Sequence, residues 1–180
     1  MSKTLAWIAI AITFLGLKEN TSKTAHNPTI IKWLGKMGSF NGEARSWWKN
    51  DEEAWCGLFV GFVLGSAGRY VVKEWYRAKE WNDKSMTKLS RPAVGAVAVF
   101  KLQSGYHVAF IVGKTKTGRI VVIGGNQSNS VSYTSFDPSN MVGCYWPSRV
   151  GRNNEAIKSV PLEDRFILPI MESNGTASTR

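Results

Sequence analysis

The chain has 180 residues, room for one compact domain with tails. Hydrophobic residues make up 43% and charged residues 20%, which excludes a disordered polyelectrolyte. Lys and Arg outnumber Asp and Glu by 23 to 13, a formal charge of +10. That charge implies an anionic partner (nucleic acid, anionic lipid or an acidic polymer such as a cell wall) without choosing among them.

The first element is an apolar run, Leu5 to Leu17, behind Lys3. It is short for a bilayer span and no small-residue cleavage site follows it. It reads as a buried first helix over Ser2–Glu19, with an export or membrane-arrest signal as the alternative. Asn27-Pro28 is a helix start, Asn27 as cap and Pro28 in the first turn. Ile30, Ile31, Leu34 and Met37 follow at helical spacing. A third helix is expected from Asn50, where Asn50 and Glu53 fit a capping box. It runs through an apolar stretch to Ala67, with Gly68 as its stop. Glu74–Asn82 is a further helical or irregular piece. After Pro92 the spacing changes to short β-rich runs: Gly95–Leu102, Tyr106–Gly113, Arg119–Gly124, Val131–Phe136 and Gly143–Trp146. Helices first and closely connected strands after them predict an α+β domain on an antiparallel sheet of about five strands. That domain covers 1–147. Residues 148–180 are a C-terminal extension that either wraps the domain or trails as a tail.

Two cysteines, Cys56 and Cys144, make no disulfide framework, although one bridge between them is conceivable. No Cys-x-x-Cys or His-rich cluster suggests a metal, and no cofactor motif appears. The eight tryptophans suit either core packing or a ligand platform. Only His26 and His107 can supply an imidazole. Cys56 lies near a helix start, where the helix dipole favours a thiolate. A helix beginning at Asn50 would place it beyond the first turn and weaken that effect. His107 opens a strand after a Gly-containing turn. Asn126 follows the strand Arg119–Gly124, and its amide could fix the tautomer of His107. Taken singly, each has an ordinary reading: an inert buried thiol, a structural histidine, a turn asparagine. Together, in the order Cys, His, Asn, they fit a thiol hydrolase. The expected geometry puts Cys56 Sγ within hydrogen-bonding distance of a His107 ring nitrogen. His26, before a helix start, is read as structural. Cys144, in an aromatic strand, is read as a buried thiol.

The ordered residues Asp51-Glu52-Glu53-Ala54-Trp55-Cys56, Gly105-Tyr106-His107-Val108 and Gly124-Gly125-Asn126-Gln127-Ser128-Asn129-Ser130-Val131 resemble a branch of the CHAP and NlpC-type superfamily. Leu15–Glu19, His26-Asn27-Pro28 and Gly143-Cys144-Tyr145-Trp146-Pro147 add to the likeness, which spans roughly 5–147. Ala54 and Ala96 depart from residues such sequences often carry there, Pro and Asp. The resemblance implies a papain-like fold. It implies Cys56 as nucleophile, His107 as base and acid, and Asn126 as the orienting residue. The Cys56 backbone N–H is the expected oxyanion donor, and Asp51, Trp55 and Gln127 are near-site candidates for substrate contact. It further implies a monomeric peptidoglycan hydrolase of the phage-endolysin kind. Such an enzyme reaches the wall from the host cytoplasm, with no metal, no nucleic-acid partner and no stable membrane span. The alternatives are a non-catalytic wall- or glycan-binding module on the same fold and an interbacterial amidase toxin.

Overall fold

A computed structural model describes residues 3–22, 25–40 and 54–172. Among them are three α-helices, α1 (Ala6–Thr13), α2 (Pro28–Met37) and α3 (Cys56–Ser66), all preceding the sheet in the chain. Six strands follow: β1 (Thr87–Lys88), β2 (Val97–Leu102), β3 (Gly105–Lys114), β4 (Ile120–Gln127), β5 (Ser130–Phe136) and β6 (Met141–Trp146). They form one antiparallel sheet in the order β1-β6-β2-β3-β4-β5. The chain is therefore α+β. All five β-rich runs of the sequence are strands, and the two-residue β1 extends the sheet beside β6. A small hairpin, β7 (Arg149–Val150) with β8 (Ala156–Ile157), stands apart from it. The segment expected over Glu74–Asn82 contains a single 3₁₀ turn, Ala78–Trp81.

Two helix limits differ from the sequence reading. The first helix stops at Thr13 rather than continuing to Glu19, and Gly16 to Glu19 runs extended against the β4–β5 turn. Gly16 N–H donates to the Val131 carbonyl (2.9 Å), Val131 N–H to Leu17 (2.8 Å) and Glu19 N–H to Asn129 (2.8 Å). Strand pairing thus replaces the last helical turns. The third helix starts at Cys56, because Ala54 and Trp55 are not helical. The proposed cap at Asn50 and Glu53 lies outside the described residues. The second helix begins as read: Asn27 Oδ1 accepts from Thr29 N–H at 2.9 Å, with Pro28 in the first turn.

The core lies between the helices and the sheet. Trp33 of α2 stacks on Phe62 of α3 (ring centroids 5.3 Å apart) and meets Trp55 and Phe59. Phe59 in turn meets Phe110 of β3. Trp7 anchors α1 through its indole N–H on the Gly95 carbonyl at 2.8 Å and an edge contact with Trp146. The six described tryptophans are all buried, which is core use; Trp47 and Trp48 lie outside the described residues. α1 buries Trp7, Ile8 and Ala11, and among the described residues no helix is long and apolar enough to cross a membrane. Beyond Trp146 the chain wraps the domain. Val94 N–H bonds the Arg165 carbonyl, and Lys114 exchanges backbone bonds with Pro169 and Met171. Phe166, Leu168 and Met171 pack on the core.

Candidate active site

Cys56 is the first residue of α3 and only 4% exposed. Its position in the first turn, not beyond it, gives the thiol the full effect of the helix N-terminus. The residue before it, Trp55, contributes no capping oxygen. The N–H groups of Cys56 and Gly57 therefore belong to the set that a helix start leaves without intrahelical acceptors. Burial pushes the Cys56 thiol up from its ordinary value, and the backbone N–H groups of Val108, Gly57 and Cys56 itself oppose that shift by favouring the thiolate. The thiol thus faces β3 at Val108, the residue after His107.

His107 is 1% exposed, its ring 5.3 Å from that of Phe136. Burial holds its pKa down to about 4, with the bond to Gln127 acting in the opposite sense. The imidazole is accordingly neutral at pH 7. Its Nε2 lies 3.0 Å from Gln127 Oε1. The orientation of that amide is set by its other end: Gln127 Nε2 donates to the Ser132 carbonyl at 2.6 Å and reaches Ser132 Oγ at 3.2 Å. Oε1 is left facing the ring, so Nε2 carries the proton and Nδ1 the lone pair. A bare-nitrogen base is what a thiol proton requires.

The sheet makes room for this by an irregularity. The β4–β5 register shifts between Gly124 and Gln127, and Asn126 there has a left-handed φ of 56°. Such a bulge re-aims the following side chain. The two preceding glycines are needed for close approach. A Cβ on Gly124 would come within 2.6 Å of Gln127 Oε1, and one on Gly125 within 2.6 Å of the Trp55 ring.

The expected site residues divide accordingly. The Cys56 thiol meets β3 at Val108, but the expected Cys56–His107 hydrogen bond is not formed: successive strand side chains point to opposite faces, and while Val108 and Phe110 lie on the α3 face, the imidazole lies on the other, where it bonds Gln127 and meets Phe136. Asn126 is buried and is not the partner of His107; the amide one residue later takes that place. Gln127, read as a substrate contact, holds the histidine. Trp55 was also read as a substrate contact. It is 0% exposed and its indole N–H donates to Glu19 Oε2 at 2.9 Å, so it presents no surface. Asp51 lies outside the described residues. His26 stands before α2 and outside this group of residues. Cys144 is buried in β6, its thiol donating to the Arg91 carbonyl at 3.6 Å, with its pKa raised to about 11 by burial. Neither cysteine is in a disulfide. Among the described residues no group of three His, Cys, Asp or Glu side chains could hold a metal.

Comparison with protein-family models, with curated proteins and with solved structures finds no match to this chain.

Sequence reasoning gave no site role to Ser132 or Glu19. The signal for Ser132 was its place on β5 just past the β4–β5 turn, two residues beyond Ser130, the ladder partner of Gln127.

Proposed function

We propose that the protein is a thiol amidase or endopeptidase with a papain-like arrangement, cleaving an amide bond of bacterial peptidoglycan as an endolysin does. The bond is the sugar–peptide amide or one within the peptide stem. The observation that carries this reading is the buried thiol at the first position of α3, with the backbone N–H groups of Val108, Gly57 and Cys56 favouring its thiolate; the fixed amide of Gln127 keeps the proton on His107 Nε2 and leaves Nδ1 as a base.

The reaction follows from those groups. The reaction requires the start of β3 to turn so that Nδ1 reaches the thiol on the α3 face; the imidazole then takes the proton as sulfur attacks the amide carbonyl. The tetrahedral oxyanion is met by the N–H groups at the start of α3, those of Cys56 and Gly57, which have no intrahelical acceptor. Collapse expels the amine, which leaves with the proton from the imidazolium. The remaining thioester is hydrolysed by water, whose proton passes to His107 and then to the departing thiolate. The products are one amine and one carboxylic acid. The positive charge of +10 assists adsorption to an anionic envelope.

End-group analysis of purified peptidoglycan after digestion tests the reaction class. New amino termini without new reducing sugar ends are expected. New reducing ends, or soluble fragments with no new amines, would refute an amidase.

A further inference from the structure

We infer that Glu19 is a positioning residue: the hydrogen bond from Trp55 to its carboxylate couples the nucleophile helix to the loop that orients the histidine. This inference rests on the thiol–imidazole reading above. Glu19 is only 8% exposed. A carboxylate so enclosed is costly unless hydrogen-bonded, and an apolar side chain would serve packing alone as well. What the carboxylate adds is a directional acceptor for the Trp55 indole N–H, at 2.9 Å.

The two ends of this contact belong to the two halves of the site. Trp55 is the residue immediately before Cys56, and its carbonyl accepts the first bond of α3 from Phe59 N–H at 3.0 Å. Glu19 is held by its own backbone to the β4–β5 turn, through its N–H on the Asn129 carbonyl and the adjoining bridge of Lys18 to Ser130. Two residues before Asn129 stands Gln127, the partner of His107. The strap is secured from the other side by Asn27, whose Nδ2 donates to the Lys18 carbonyl at 2.6 Å. The Trp55 ring is also seated where Gly125 has no Cβ. Rotation of Trp55 would therefore move the start of α3 relative to β4, and the hydrogen bond to Glu19 opposes that rotation. The clamp therefore fixes where the start of α3 stands relative to β4.

The test reads the coupling between Cys56 and His107 without any substrate. Alkylation of Cys56 by iodoacetamide at pH 7 is followed by peptide mapping, which separates it from Cys144. Wild type, His107→Ala, Glu19→Ala and the Glu19→Ala/His107→Ala double variant are compared. His107→Ala is expected to slow alkylation several-fold in the wild-type background and to cause no further slowing in the Glu19→Ala background. Glu19→Gln, whose amide oxygen still accepts the indole N–H, is expected to keep the coupling. Trp55→Phe, which keeps the ring and deletes the donor, replaces Glu19→Ala should that variant not fold. Equal slowing by His107→Ala in both backgrounds, or lost coupling in Glu19→Gln, would overturn the clamp alone. No effect of His107→Ala in the wild-type background would overturn the thiol–imidazole reading and the clamp with it.

Discussion

The two buried thiols make an instructive pair. Cys56 and Cys144 are both nearly inaccessible, and burial raises the pKa of both. Desolvation therefore does not distinguish the two thiols; their neighbours do. Cys144 sits in mid-sheet opposite Ala98, spends its proton on the Arg91 carbonyl, and among the described residues has one opposing backbone donor, at Ala93. Cys56 occupies the first position of a helix, with three backbone N–H groups favouring its thiolate. An identical side chain at similar burial thus meets backbone N–H donors at a helix start in one place and a backbone carbonyl in mid-sheet in the other.

The largest expected effect sharpens that contrast. Replacing His107 by Ala removes the base and lowers turnover by about 10²–10⁴-fold. The same change leaves Cys144 alkylation unmoved, which peptide mapping reports. A smaller, pH-dependent effect follows from the buried imidazole. Its ring stays neutral down to about pH 4, so the acid limb of kcat/KM falls near 4 instead of near the ordinary histidine value. Stability obeys the same linkage. The unfolded chain protonates this histidine below about pH 6.5, whereas the folded chain resists until about 4. The contribution is complete above pH 6.5 and is lost progressively as pH falls toward 4, by an amount of order 3 kcal/mol. Urea unfolding across that range should show the slope in wild type and lose it in His107→Ala.

A third experiment separates neighbouring amides. Gln127→Ala frees the imidazole to rotate and lowers kcat by about 10²-fold, with KM little changed. Asn126→Ala leaves kcat near wild type, although the left-handed backbone there favours asparagine and some stability is lost. Steady-state kinetics of the two variants decides which residue orients the histidine. The smallest effect belongs to Cys144→Ala, which removes a packed thiol and costs about 1 kcal/mol of stability, read by thermal melting, with kcat unchanged.

Much of this was legible in the chain. The five principal strands announced themselves as β-branched runs between turn residues, and Asn27-Pro28 marked a helix start by its own chemistry. Cys56 and His107 stood out because few residues could do their work. The misreadings have physical causes. The apolar run was read as one helix from Asn50, yet Ala54 and Trp55 are not helical and α3 begins at Cys56, where Gly125 lets Trp55 seat against the sheet. Asn126 and Gln127 both carry amides, and only the bulge in β4 decides which one reaches His107. Local sequence does not report such a register shift. Trp55 was read as a substrate contact because its partner, Glu19, is 36 residues away in the chain.

The most direct test of the central claim is the clearing of purified peptidoglycan by wild type, Cys56→Ala and Cys144→Ala, with circular dichroism confirming that all three are folded. Clearing by wild type and Cys144→Ala, and none by Cys56→Ala, is the expected result. Clearing by Cys56→Ala at the wild-type rate, or none by any of the three, would contradict the account.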